Sequence, residues 1–125
     1  NGRVDIYDYK SNKEIKKESY KNWEGISKKM LHPVSHLDDC NYNHYALQLS
    51  LYLYIILKHN PKLKPGKLCL DHVIFEDDGL DAKGNKIHRL DLEGHPIIKN
   101  VERYELPYLK TEVISIINHL NDPSA

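Results

Sequence analysis

Only two cysteines, Cys40 and Cys69, occur in the 125 residues. That is too few for a four-thiolate iron–sulfur cluster or a disulfide-stapled secreted scaffold. Two reduced thiols in a cytosol are the default, with a single disulfide as the open alternative. No apolar run approaches the roughly 18 residues that cross a bilayer. The richest stretch, Tyr45 to Leu57, is interrupted by Gln48 and Ser50, so a soluble cytoplasmic chain without a membrane partner is expected. There is no Gly-x-x-x-x-Gly-Lys phosphate loop and no serine elbow, which argues against an ATP-driven motor. An internal repeat and a low-complexity tract are also lacking. The opening Asn1-Gly2-Arg3-Val4 has neither an initiator Met nor a cationic-then-apolar leader and runs straight into a strand pattern. The expectation is a piece cut from something longer.

Nor is there an excess of charge of either sign: 18 basic and 18 acidic side chains cancel. The balance is uneven along the chain. Lys10, Lys13, Lys16, Lys17, Lys21, Lys28 and Lys29 face only Glu14, Glu18 and Glu24, whereas residues 71–105 are net acidic. A basic stretch near the front end suits a phosphate backbone, and a solvated charged helix has the same composition. The length fits one domain over residues 1–125, able to bury about two-thirds of its unfolded surface.

Alternation places Val4, Ile6, Asp8 and Lys10 on one strand face and Asp5, Tyr7 and Tyr9 on the other. Ser11 with Glu14 offers a capping box, and Ile15, Ser19, Tyr20, Trp23 and Ile26 give a broken helical spacing, so this piece reads as helix or loop. Residues 30–43 read as a connection ending in a helix cap. Tyr42 to Lys58 is the strongest helix, apolar around nearly its whole circumference and therefore expected to pack on both sides. Leu68 to Phe75 reads as a buried strand ended by Glu76-Asp77-Asp78-Gly79. Turns at Lys83-Gly84-Asn85-Lys86 and Glu93-Gly94-His95-Pro96 flank a strand from Ile87 to Leu92. Ile97 to Leu106 is extended, and Pro107 is expected to open a last helix.

An acid and an amine two residues apart on a strand project from the same face. In Asp8-Tyr9-Lys10 the Asp8 carboxylate could hold a hard divalent cation, with the Tyr9 carbonyl as a second ligand. Lys10 would then face the same reacting phosphate. A surface ion pair satisfies the same pattern. On the long helix, Gln48 and Tyr52 are four apart and share a face, with His44 one turn earlier. A polar row on an apolar helix needs partners, supplied either by a polar site or by a structural hydrogen-bond network; for His44 the network is the preferred reading.

Asp8-Tyr9-Lys10 followed by Tyr45-Ala46-Leu47-Gln48-Leu49-Ser50-Leu51-Tyr52 resembles the PD-(D/E)XK nuclease superfamily in its RecB-like and phage-exonuclease branch. There an Asp-Tyr-Lys strand precedes a Gln-x-x-x-Tyr helix. The likeness extends less distinctively through Leu106-Pro107-Tyr108-Leu109 and the last helix. It implies an α/β, restriction-endonuclease-like mixed sheet flanked by helices, and a Mg²⁺- or Mn²⁺-dependent deoxyribonuclease, an exonuclease rather than an endonuclease, of phage or bacterial recombination, repair or replication. The implied roles are Asp8 as a metal ligand, Lys10 as the catalytic lysine, and Gln48 with Tyr52 bordering DNA and supporting that lysine. Lys16, Lys17 and Lys21 are the expected backbone contacts, and a homo-oligomer is a further expectation.

The family places another metal-binding Asp well upstream. Gly2-Arg3-Val4-Asp5 imitates that motif, but only three residues separate Asp5 from Asp8 and their parity is opposite. Asp5 is therefore expected to be non-catalytic, with half the metal site in N-terminal elements outside this chain, which by itself could be inactive. A binding or assembly module with the same fold is the alternative. Other candidates are weaker. His32 and His36 suit zinc spacing, but Pro33 disfavours the helix between them. His72 in an apolar strand reads as a hydrogen-bonded core residue. Asp77-Asp78-Gly79 with Asp81 lacks the ligand spacing of a calcium loop and reads as a turn.

Overall fold

The computed structural model describes residues 2–11 and 14–122. Strand β1 (Arg3–Lys10) leads through a long irregular segment to helix α1 (Asn41–His59). Strand β2 (Lys64–Phe75) follows, then the short strands β3 (Asp77–Leu80) and β4 (Lys86–His88), strand β5 (Ile98–Leu106) and helix α2 (Lys110–Leu120). The main sheet has the order β1-β2-β5, with β1 parallel to β2 and β5 antiparallel to it, while β3 and β4 form a separate ladder. The result is a small α/β protein with a mixed sheet. Parallel neighbours need a crossover, and α1 is that crossover. Among the described residues no helix is long and apolar enough to cross a membrane.

The core lies between α1 and one face of the sheet. Ala46, Leu49 and Leu53 of α1 meet Leu68 and Leu70 of β2 and Leu106 of β5, flanked by Val4, Ile6, Ile15 and Tyr45. The alternation in β1 holds: Val4, Ile6, Asp8 and Lys10 are the more buried set. At the bulge between Val4 and Ile6, Asp5 Oδ1 accepts the Lys67 backbone N–H at 2.7 Å, so Asp5 serves the β1–β2 junction. Cβ-less Gly66 fits against it; a methyl there would lie 2.6 Å from the Val4 carbonyl. On the far face, buried Asp71 receives two hydrogen bonds from Arg103, at 2.7 and 2.9 Å. The Arg103 guanidinium also lies over the Tyr7 ring.

Several local expectations are corrected. Helix α1 is not packed all round: Ala46, Leu49, Ser50 and Leu53 are buried, but Leu51, Tyr52 and Ile55 are exposed, because α2 covers only one flank. Cys40 caps α1 without a side-chain hydrogen bond. The neighbouring amides bond elsewhere: Asn41 joins the Lys16 N–H and the Glu14 carbonyl, and Asn43 reaches the Asp38 carbonyl. Helix α2 begins at Lys110 rather than Pro107. Ser50 Oγ accepts the Leu109 N–H at 2.9 Å and donates to the Pro107 carbonyl, holding those residues as a non-helical step from sheet to helix. The described part of residues 14–40 contains no helix. Asp77–Gly79 belongs to β3, and the strand expected over Ile87–Leu92 shortens to β4 with an isolated Leu90–Pro96 bridge.

One recurrent local structure went unrecognised in the sequence. Asn22-Trp23-Glu24-Gly25-Ile26, Asp81-Ala82-Lys83-Gly84-Asn85 and Asp91-Leu92-Glu93-Gly94-His95 fold alike. In each, the Asx side-chain oxygen accepts the backbone N–H groups two and four residues on. The Asx N–H meets the fifth residue's carbonyl, and the glycine takes a φ near 80°. An Asx turn plus one left-handed glycine suffices to reverse the chain.

Two outcomes are expected. Ser50→Ala leaves the Leu109 N–H buried without its acceptor and costs about 1–3 kcal/mol in urea unfolding; an unchanged midpoint would show that Ser50 does not tie α2 to α1. The hydrogen bonds from Arg103 hold the Asp71 carboxyl below its usual range, with burial opposing them. A depressed folded-state pKa gives stability that is present above about pH 4, where the unfolded carboxylate is ionised, and is lost as pH falls through the lower folded value. Arg103→Leu should therefore shift acid unfolding, followed by circular dichroism, to higher pH; an unmoved acid limb refutes the coupling.

Candidate functional site

Strand β1 presents Asp8 and Lys10 toward α1. Their side chains are about one-third and one-quarter exposed, and Lys10 Nζ lies 3.1 Å from Asp8 Oδ2. The same ammonium sits over the Tyr45 ring, 4.9 Å from its centre. An aromatic face attracts a cation without neutralising it, so Tyr45 and Asp8 together orient Lys10. Tyr9 falls on the opposite face, with its ring 68% exposed; its only route into the site is the peptide carbonyl.

Register extends this site across the sheet. Lys10 pairs with His72, which pairs with Glu102, and Asp8 pairs with Leu70, which pairs with Tyr104. Residues paired across neighbouring strands share a face, so the acid–amine pair, buried His72, Glu102 and Tyr104 all lie on the α1 side. Tyr104 donates to Glu102 Oε2 at 3.2 Å. Burial, helped by Glu102, pushes the Tyr104 phenol above its ordinary pKa and keeps it a donor. Lys17 Nζ lies over both Tyr42 and Tyr104, 5.4 and 5.6 Å from their centres. The first turns of α1 and the segment before it thus roof this end of the sheet with aromatic rings and ammonium groups.

Gln48 Nε2 donates to Tyr52 Oη at 3.1 Å, confirming that the two share a helix face. They line a groove between α1 and α2 with His44, Leu47, Leu51 and Val113. Asp8 and Lys10 do not line that groove. Tyr45 shares a flank of α1 with Gln48 and Tyr52: at 100° per residue, the three fall within an arc of about 60°. Gln48 and Tyr52 therefore continue outward along α1 from the ring that carries Lys10, without entering the same cavity. His44 reaches Asp39 at 2.6 Å, the network expected of it.

The lysines are less free than composition suggested. Lys16 pairs with Glu14 at 3.2 Å and Lys21 with Glu18 at 3.6 Å. Lys28 pairs with Asp39, and Lys29 with Asp38. Lys29 holds the Asp38 carboxyl below its usual range, and His44 followed by Lys28 does the same for Asp39. Two of the four acids, Glu14 and Glu18, belong to the basic stretch itself, and the other two, Asp38 and Asp39, come from just before α1. His36 approaches Glu112 and His32 packs on the His119 ring, so these two histidines face different partners.

As a metal centre the constellation is partial. Among the described residues no three His, Cys, Asp or Glu side chains converge on one point. Sequence reading missed Glu102 and Tyr104; His72 is buried, as its place in an apolar strand predicts. The parity of His72 with Leu68 and Leu70 was visible, but the register joining it to Lys10 was not. Comparison with protein families, characterised proteins and solved structures finds no match.

Gln48→Ala and Tyr52→Phe should each change the unfolding free energy by less than about 1 kcal/mol, because the bond they share is solvent-accessible. A loss above about 2 kcal/mol in either variant would assign the pair a structural role instead.

Proposed function

We propose that this chain carries part of a metal-dependent DNA nuclease site, with Asp8 as a metal ligand and Lys10 as the catalytic amine. The observation that carries the reading is the Asp8–Lys10 pair, oriented on the α1-facing side of an edge strand and roofed by Tyr45. Its likeness to the PD-(D/E)XK pattern supports the same chemistry. A divalent cation, Mg²⁺ or Mn²⁺, would neutralise charge on the phosphoryl oxygens and lower the pKa of an attacking water. Lys10 would donate hydrogen bonds to the scissile phosphate as negative charge develops there. The Tyr9 carbonyl would add a main-chain ligand, and Gln48 and Tyr52 would meet the DNA outward along α1. Lys16, Lys17 and Lys21 would follow the phosphate backbone.

The remaining ligands would be brought by a strand pairing along the outer edge of β1, which lies at one side of the main sheet. The position of β1 at the side of the main sheet favours a second reading as well: a DNA-binding or assembly module whose β1 edge pairs with a partner or a second copy.

The test is DNA cleavage by the protein in the presence of Mg²⁺. Mg²⁺-dependent cleavage should fall at least about 100-fold in Asp8→Ala and in Lys10→Ala, the scale on which a single donor to developing charge acts. Rates unchanged by both substitutions would falsify these roles. Metal-independent DNA binding that depends on Lys16, Lys17 and Lys21, without cleavage, selects the module.

A further inference from the structure

We infer that the hairpin formed by residues 20–28 is a stacking site for single-stranded DNA, with Trp23 as its platform; the choice of nucleic acid rests on the DNA reading above. Trp23 is the single tryptophan of the chain and is 91% exposed. Its exposure follows from the loop that carries it. The residue after the Asx in such a loop points away from the protein, and Leu92, at the same position of a sister loop, is likewise fully exposed. Asn22 holds the tip through its bonds to the Glu24 and Ile26 N–H groups at 2.9 and 3.0 Å, while Gly25 supplies the positive φ. The indole therefore sits on an ordered mount and has no local route to burial.

The stem has the chemistry of a phosphate-contacting element. Lys21 bridges to Ser27, and the Lys28 N–H donates to the Tyr20 carbonyl at 2.8 Å, so the two arms of the loop that carries the indole each bring a lysine, and one of them also brings exposed Tyr20. Their partners, Glu18 and Asp39, are reached through solvent-exposed ion pairs at 3.6 and 3.1 Å. Such pairs hold weakly and can be exchanged for a phosphate. Aromatic faces interleaved with lysines suit a single strand, whose unpaired bases can stack, better than a duplex, whose bases are already stacked.

The mount is also tied to the candidate active end. Ser19 Oγ donates to the Lys28 carbonyl, the Asp39 N–H donates to the same carbonyl at 2.9 Å, and Asp39 binds His44 in the first turn of α1. His44 adjoins Tyr45, which covers Lys10. A strand held on Trp23 is thus anchored to the same end of α1 as the Asp8–Lys10 pair.

Because Trp23 is alone, its emission reports on this tip only. Oligo-dT should quench it saturably. Trp23→Ala should weaken binding of labelled oligo-dT, measured by anisotropy, about ten-fold, the effect of losing one base–aromatic stack. Trp23→Phe should retain part of the affinity. Replacing both Lys21 and Lys28 by Gln should flatten the log–log salt dependence by about 1.4, two phosphate contacts to a single strand. The proposal is overturned by emission that stays constant at saturating oligo-dT, by undiminished affinity in Trp23→Ala, or by quenching with anionic vesicles or duplex but not with oligo-dT. Asp8-dependent cleavage with a silent Trp23 removes this hairpin's role and spares the nuclease reading. Quenching by oligo-dT without any Asp8-dependent cleavage does the reverse.

Discussion

The parallel pairing of β1 with β2, sealed by α1, is the contact on which the rest depends. Leu49 and Leu53 of the helix close on Leu68 and Leu70 of the central strand, and this burial is the main favourable term holding the three pieces together. It also decides orientation. With Ile6 committed to the core, strand alternation turns Asp8 and Lys10 to the same side, and the pleat leaves Tyr7 and Tyr9 on the other. A one-residue slip of β1 would exchange the two sets and dissolve the candidate site. Asp5, fixed on the Lys67 amide at the bulge, guards against that slip.

Electrostatics then divides the sheet into two chemically distinct faces. On the far face, Asp71 and Arg103 satisfy one another through a two-point bond, which suits a structural role. On the α1 face, Lys10 is shared between one carboxylate and a ring, and Lys17 rests over two rings. Ring contacts orient an ammonium and leave its donors available, as a phosphate-facing amine requires.

The connections follow simpler rules. Three Asx–x–x–Gly loops recur because one side-chain acceptor and one left-handed glycine are enough to turn a chain. The same economy of local bonds leaves the residue after each Asx in solvent. At Trp23 that residue is a large aromatic ring, after Asp81 it is an alanine and after Asp91 a leucine; only the first offers a stacking face.

Much of the fold was legible from residues alone. Period-two alternation found β1 and the inward parity of Asp8 and Lys10. The apolar run from Tyr42 to Lys58 found α1 within a residue at each end, and turn residues located the loops after Asp81 and Asp91. Those signals are local: backbone geometry within one element produces them. What the sequence could not show is which elements become neighbours. The row Lys10–His72–Glu102 joins residues far apart in the chain through strand register. The acids that offset the basic stretch are also contributed by another segment, and the exposure of Leu51 and Ile55 reflects which flank of α1 is covered by α2. Side-chain periodicity determined the elements and the direction each residue faces. Only the packing of α1 over a registered sheet decided which of those directions meet, because register and helix placement are set by burial summed over the whole molecule.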